Sequence, residues 1–394
     1  MSLGLERNAA LLFWGMVLVQ SGFGASDAFR TLFMESLGAS PAVIGLLLAG
    51  FEATRLTMLV VTGSLSHRMS TRTMLRMRWG SAISGVLWLG ATSWWMLAPG
   101  LVAQAASSIA WPAVSRVVDE SGPPEDRQRR FLLVFTVAPG IALLGSPLLG
   151  AWIVERWGLR AVWVALVVFC SAGTVFYTLV RPCGDGGARA AGGYREVLRH
   201  RPSRAICLLT LFTTYATYLG MALAPNYLHN ERGLSYGFIG TLSALVAVGS
   251  IGAALTLGRV RRLARTLEGT LVVGAFLPPT FALLLFGGTP ALAAAAFVTF
   301  GVGSVVQQTF RPAMSDVTPP SDRIRGFALI EATIAAGVMC ASVSAGALYA
   351  VSPRLPLAAS AVATTLAVVA TVVVRRDIHA WQGAGSPMPA RPLH

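Results

Sequence analysis

The sequence predicts an all-α membrane protein made of two related bundles, each with six transmembrane helices. The chain is 54% hydrophobic and only 12% charged, with a mean hydropathy of +0.64. A soluble protein carries about 25% charged residues. Twelve apolar stretches are each long enough to cross a bilayer, which takes about 20 helical residues. A motif of the first half also returns in the second half, and this indicates a duplicated six-span unit.

The twelve predicted spans follow one another with short turns between them. The turns at 97–100 and 287–290 contain Pro and Gly, which suit tight connections between antiparallel helices. Trp152 and Trp157 stand near a span end, as expected at a membrane–water interface. In chain order, we predict spans at 9–29, 42–64, 79–98, 100–118, 131–154, 160–180, 205–225, 236–258, 270–287, 291–311, 327–350 and 355–374.

A repeat relates the two halves and sets the domain boundaries. Trp111-Pro-Ala-Val-Ser returns as Arg311-Pro-Ala-Met-Ser, and the Pro-Pro pair that follows Gly122 returns after Thr318, 196 residues later. We therefore predict an N-terminal six-helix bundle at 1–180, a cytoplasmic linker at 181–204, a C-terminal six-helix bundle at 205–376 and a disordered cytoplasmic tail at 377–394.

The net charge of +14 reflects topology rather than nucleic-acid binding. All 31 basic residues other than histidine are arginine. With the N-terminus inside, 23 of them fall in the inner segments and 5 in the outer loops. This bias is the positive-inside rule, and it predicts a multi-pass protein of a bacterial-type inner membrane with both termini in the cytoplasm.

The linker is rich in Gly and Arg. Tyr194, Val197 and Leu198 within it share one face of a helix, and a short helix on the inner leaflet and a flexible linker both fit this pattern. The histidines and cysteines show no spacing typical of a nucleophile or a metal site, and no Gly-rich phosphate loop is present. We expect no enzymatic activity, no metal, no cofactor and no direct use of ATP.

Ionisable residues inside the spans are the first candidates for function, because each costs at least about 2.5–3.5 kcal/mol in hydrocarbon. Glu52 and Arg55 lie near the middle of span 2, and their i, i+3 spacing places them on one helix face. Asp27 lies toward the outer end of span 1 and is followed by Arg30. Each acid could bind a proton or a cation, or could serve only as the structural partner of its arginine.

The loop between spans 2 and 3 carries a family resemblance. It reads Gly63-Ser-Leu-Ser-His67-Arg68-Met-Ser-Thr-Arg72, which is similar to the Gly-x-Leu-x-Asp-Arg-x-Gly-Arg-Arg/Lys pattern of the major facilitator superfamily (MFS). His67 replaces the Asp of the pattern. The resemblance implies an inner gate in which Arg68 and Arg72 pair with Asp119, Glu120 or Glu331, and the alternative is that these arginines only anchor topology.

Span 5 is similar to the Gly-rich stretch that marks antiporters of this superfamily. The segment contains Gly145, Pro147 and Gly150, and its small residues and proline suit close contact and a bend. Ordinary small-residue packing is the alternative interpretation. The arginine found in the middle of span 4 in many proton-coupled drug exporters is absent, and Gln104 is the strongly polar side chain there.

The resemblance also implies that spans 1, 4, 7 and 10 line a central cavity. The uncharged polar side chains that we assign to this cavity, with helix–helix hydrogen bonding as the alternative for each, are Gln20, Gln104, Tyr215, Tyr218, Asn226, Gln307 and Gln308. The second-half spans carry few charges. We therefore expect a cavity that is largely apolar and aromatic, with its acids in the first half.

These observations predict a monomeric secondary transporter that works by alternating access. Its expected activity is proton-coupled efflux of amphipathic or cationic small molecules, with Glu52, Asp27 and Arg55 at the proton or cation site. One alternative is a facilitator or symporter of a polar solute such as a sugar. Another is a lipid or lysolipid transporter, which an apolar cavity would also suit.

Overall fold

Helices make up nearly all of the computed structural model, which describes residues 5–65, 69–122, 130–131, 133–181, 194–259, 267–318 and 323–383. The predicted all-α membrane fold is confirmed. In chain order, the helices are Arg7–Asp27 and Arg30–Ser36 (span 1), Pro41–Leu65 (span 2), Thr71–Arg76 and Trp79–Leu89 (span 3), Ala98–Ala106 and Ala110–Glu120 (span 4), Ala138–Trp157 (span 5), Val162–Thr178 (span 6), Tyr194–Arg199 (linker), Arg201–Met221 and Ala224–Asn230 (span 7), Tyr236–Arg259 (span 8), Glu268–Gly274 and Leu277–Phe286 (span 9), Pro290–Ser304 and Val306–Val317 (span 10), Arg323–Val351 (span 11) and Leu355–Gly383 (span 12).

Eleven helical segments of the described chain are long and apolar enough to cross a membrane. Span 3 is the predicted span without a counterpart among these segments. Its two helices have 6 and 11 residues, and the second ends at Leu89 rather than at the predicted residue 98. Span 3 nevertheless packs against spans 4 and 6, so it completes the first bundle.

The packing of the first half is repeated in the second half. Span 1 packs against spans 5 and 6, span 3 against spans 4 and 6, and span 2 against span 4. Span 7 likewise packs against spans 11 and 12, span 9 against spans 10 and 12, and span 8 against span 10. Adding six to each span number converts the first set of contacts into the second. The internal repeat of the sequence is therefore a repeat of structure.

The two halves meet along two helix pairs, spans 2 and 11 and spans 5 and 8. A glycine lies at each contact. A Cβ atom added to Gly45 would overlap the carbonyl oxygen of Ser342, and one added to Gly240 would lie 2.7 Å from the carbonyl oxygen of Pro147. Both glycines are needed because the facing helices are too close for a side chain.

The bundle has two ends, which we name by the chain segments found there. The terminal face holds Arg7, at the start of span 1, and Arg375, near the end of span 12. The opposite face holds Ser36 and Asn230, where spans 1 and 7 end. The helix of span 12 continues to Gly383, into the tail predicted to be disordered, because the sequence places no Gly or Pro between Arg376 and that residue.

The linker helix Tyr194–Arg199 packs against spans 7 and 11. Val197 is buried there beside Ile206 in the apolar core of the second half. Between the two interpretations of this segment, the structure therefore shows a helix. Of the predicted apolar face, Val197 is covered by the protein, whereas Leu198 is exposed.

Two arginines that the sequence placed in inner loops are buried inside the first half. Arg78 is 3% exposed, and its guanidinium lies over the rings of Trp111 at 5.0 Å and Tyr177 at 5.9 Å. Arg130 is also 3% exposed. Counting arginines predicts topology, but it does not separate solvated arginines from those that hold helices together.

Candidate functional site

The candidate site is a group of charged and polar side chains near the middle of the bundle. In span 2, Arg55 Nε donates a hydrogen bond to Glu52 Oε2 at 2.8 Å, and the Glu52 side chain is 12% exposed. Tyr218 of span 7 lies within electrostatic range of Glu52 and Arg55, and beside Gln307 of span 10. The Glu52 carboxylate therefore faces the second half of the protein rather than lipid.

A second acid–arginine pair lies in span 1, close to the first. Arg30 hydrogen-bonds the carboxylate of Asp27, and its guanidinium lies 5.8 Å from the Phe51 ring and 5.9 Å from the Trp88 ring. About half of the Asp27 side chain is exposed, whereas Arg30 is mostly buried. The ring contacts hold the guanidinium in place. Asp27 is thus the more exposed member of an ion pair at the site.

The second half contributes an ion pair that the sequence led us not to expect. Arg311 of span 10 donates to Glu331 of span 11 with Nε at 2.8 Å from Oε1, and it also bonds the Gln308 side-chain oxygen. Both charged side chains are more than one-third exposed. This pair adds charge to the second half, where the sequence analysis placed few charged residues inside the spans.

The remaining cavity candidates occupy different places. Gln104 is buried in the first half, where its Oε1 has no hydrogen-bond partner. Tyr215 packs beside Tyr218 against span 11, and Gln20 is half-buried in span 1. Asn226 lies at the opposite face, in the helix that ends span 7, so it belongs to the contacts that close that face.

The predicted inner gate is only partly described. His67 and Arg68 lie outside the described residues. Arg72 is exposed at the terminal face. Asp119 is half-buried and engaged in an interaction at the end of span 4. Glu331 is bonded to Arg311 within its own half. Gly63 lies in the helix of span 2. The pairing proposed between Arg68 or Arg72 and these acids therefore remains a prediction.

The antiporter-like residues of span 5 make close helix contacts. The Pro147 carbonyl faces Gly240 of span 8, and a Cβ atom on Gly150 would overlap the backbone of Ala25 in span 1. Gly145 has open space around its Cα. Span 5 is thus packed tightly between span 1 of its own half and span 8 of the other half. A tightly packed contact of this kind suits the axis of a rigid-body rotation between the halves.

The opposite face is closed by hydrogen bonds that the sequence analysis missed. Asn230 Nδ2 donates to Glu35 Oε1 at 2.8 Å, and Asn226 donates to the other oxygen of the same carboxylate. The backbone N–H of Gly237 donates to Glu155 Oε1 at 2.8 Å. Each bond joins the first half to the second. Between residues that are both described, the hydrogen bonds joining the halves lie at this face.

The sequence profile described as Major Facilitator Superfamily matches residues 12–310, about three-quarters of the chain. No curated protein sequence matches. Among solved structures, a bacterial homolog of the human lysosomal transporter Spinster, in an inward-facing and unoccupied conformation, is similar with a TM-score of 0.74 and 14% identity over 97% of this chain and 99% of that one.

Two further structures show the same fold. A POT family transporter in complex with 5-aminolevulinic acid has a TM-score of 0.75 and 12% identity, covering 96% of this chain and 98% of that chain. The nucleoside transporter NupG has a TM-score of 0.72 and 11% identity, covering 94% and 98%. The chain belongs to the major facilitator superfamily, and its fold is that of membrane transporters.

Proposed function

We propose that this protein exports amphipathic or cationic small molecules in exchange for protons, by alternating access. The observation that carries the proposal is the position of Glu52. Its carboxylate lies in the middle of span 2, bonded to Arg55 and facing Tyr218 of the other half. A carboxylate between two halves that rock about a central site can meet cargo and proton from each side in turn.

The ion pair gives Glu52 a way to couple the two ligands. The ionised carboxylate binds Arg55, and a cationic cargo would compete with Arg55 for the same oxygens. A proton on Glu52 removes the charge that both of them need. Proton and cation therefore exclude each other at this carboxylate, and such mutual exclusion is the thermodynamic requirement for antiport.

The location that we propose is a bacterial-type plasma membrane, with the protein a monomer and the terminal face in the cytoplasm. The support is the excess of arginine in segments that end at this face. On this topology the described contacts close the extracellular side. Cargo would then enter from the cytoplasm, as an exporter requires.

A second candidate function, transport of a polar solute, is favoured by one observation. Arg311, Glu331 and Gln308 form a partly exposed polar cluster in the second half. A solute with several hydrogen-bonding groups could bind there. The apolar cavity that would suit a lipid or lysolipid is harder to reconcile with this cluster.

The test uses everted membrane vesicles with an acid interior and a pH-sensitive dye. Lipophilic cations, sugars and lysolipids are added in turn. We expect lipophilic cations to raise the internal pH, because each cation that enters drives out protons. We expect Glu52→Gln to abolish this response, since a neutral amide cannot carry the proton. Asp27→Asn tests whether the solvated carboxylate shares the role.

The matched control is Glu231→Gln, which neutralises an exposed acid at the opposite face. This variant should respond like the unchanged protein. A compound-dependent response that survives in both Glu52→Gln and Asp27→Asn would contradict the assignment of these carboxylates. Uptake of radiolabelled sugar without any dye response would instead support the polar-solute function.

A further inference from the structure

The bonds at the opposite face share one chemical pattern. In the pairs that involve Glu35 and Glu155, a carboxylate of the first half accepts and a neutral N–H group of the second half donates, and Asn226 also donates to the backbone carbonyl of Thr31 at 3.4 Å. Asn226 and Asn230 donate to Glu35, and Gly237 donates to Glu155. Within the described residues, neither acid is bonded to an arginine. Asp27, Glu52 and Glu331 each have an arginine partner, so the closing acids form a separate class.

Protonation acts directly on such a contact. Both oxygens of Glu35 face amide N–H groups, and a proton would turn one of these acceptors into a donor facing a donor. Asn226 is 2% exposed, so water has little access to its side of the contact, and the other acceptor of its N–H groups is the carbonyl of Thr31 at 3.4 Å. Hydrogen bonds to an ionised carboxylate are also roughly twice as strong as neutral ones. Protonated Glu35 therefore holds the second half less tightly.

Glu155 has a comparable dependence on charge. It accepts the N–H of the second residue of the helix Tyr236–Arg259. The N-terminus of a helix carries a partial positive charge, which favours an anion there. A proton on Glu155 would remove this attraction. Both contacts thus become weaker when acid is added, and they change in the same direction.

Other charged and titratable groups also lie around the two acids. Arg160 donates to the carbonyl of Ala91, 2.9 Å away. His229 Nδ1 lies 2.9 Å from the carbonyl of Leu234, and its ring stacks on Tyr236. The charged and titratable groups at this face on the elements around Glu35 and Glu155 include Asp27, Arg30, Arg156, Arg160, Tyr227, His229, Glu231, Arg232, Tyr236 and Tyr349.

We propose that Glu35 and Glu155 are two proton-binding sites that keep the opposite face closed while ionised and release it when protonated. Protons arriving from the compartment at that face would open the transporter toward it. This device goes beyond the proposed coupling at Glu52, because it concerns which face opens and requires no cargo.

The experiment measures the opening of this face without transport. Spin labels are placed on Thr92→Cys and Gly288→Cys, which lie in exposed loops of the first and second halves at the opposite face. The four native cysteines are replaced by alanine. Distances between the labels are measured by double electron–electron resonance, on the whole protein in nanodiscs, at neutral and at acid pH.

We expect a short label distance at neutral pH and a growing long-distance population on acidification. The E35Q/E155Q double variant should show at neutral pH a ratio of open to closed molecules at least about tenfold higher, because the amide imitates the protonated acid. Acid should then change this variant little. Glu231→Gln, with an acid at the same face that makes no described bond to the first half, should behave like the unchanged protein.

Two results would overturn the proposal. One is an E35Q/E155Q distribution identical to that of the unchanged protein at neutral pH. The other is a full response to acid that persists in E35Q/E155Q, which would place the sensitive group elsewhere. A Glu52→Gln variant measured in parallel should keep the acid response. Failure of this proposal is therefore distinguishable from failure of proton coupling at Glu52.

Discussion

Replacing Gly45 by valine is expected to lower the free energy of unfolding by about 3 kcal/mol, and the same change at Gly240 should have a similar effect. Each new side chain would meet the backbone of a helix in the other half, at Ser342 or at Pro147. A backbone carbonyl cannot turn aside as a flexible side chain can, so the helices must separate. Thermal unfolding in detergent measures the loss as a lower Tm.

The same helices contain matched controls. Gly50 of span 2 and Gly252 of span 8 have nothing within 4 Å of an added Cβ atom. Gly50→Val and Gly252→Val change the same residue type in the same helices without a clash. We expect both to keep a Tm close to that of the unchanged protein. If Gly45→Val were as stable as Gly50→Val, the contact between spans 2 and 11 would not be as close as described.

Arg130→Ala is expected to destabilise the first half by about 2–4 kcal/mol. The buried guanidinium donates to the backbone carbonyls of Val118, Asp119 and Gly122, at 3.1, 3.2 and 3.2 Å. These groups lie at the end of span 4, where a helix leaves its last carbonyls without partners. Alanine would remove the donors and leave the carbonyls buried.

The control for Arg130→Ala is Arg72→Ala, which removes an exposed arginine at the same end of the bundle. Its effect on unfolding should be within about 0.5 kcal/mol, as for most surface changes. Lysine at position 130 supplies a charge but lacks the planar fork of donors, and it should restore only part of the stability. Equal Tm values for the alanine variants at positions 72 and 130 would contradict a capping role.

The fold could be predicted from sequence because a bilayer constrains helices simply. A helix must be long and apolar to cross it, so hydropathy alone marks most of the spans. The helix ends were harder to predict. Span 3 is interrupted at Met77 and Arg78, and spans 10 and 12 run past their predicted limits. At the ends of spans 10 and 12 the hydropathy falls, although the backbone hydrogen bonds of the helix continue.

The candidate site was predictable only where its partners are close in sequence. Arg30 follows Asp27 by three residues and Arg55 follows Glu52 by three, and both pairs are bonded. Glu35 and Asn226 are 191 residues apart, and their contact could not be predicted. Hydrophobic periodicity shows which face of a helix is polar, but it does not show which helix lies opposite that face. The usable signal for Glu35 was its charge near the end of an apolar span.

The contacts between the halves have a further regularity. Gly240 follows Gly45 by 195 residues, and Pro147 precedes Ser342 by the same number. The two glycine-to-carbonyl contacts are therefore copies of one another, related by the duplication. Two identical six-helix chains placed around a twofold axis would make the same contact twice, as an isologous dimer does. The two halves thus meet in the way that the subunits of a symmetric homodimer would, and a gene encoding 1–180 twice in tandem is a direct way to ask whether one half can recognise a copy of itself.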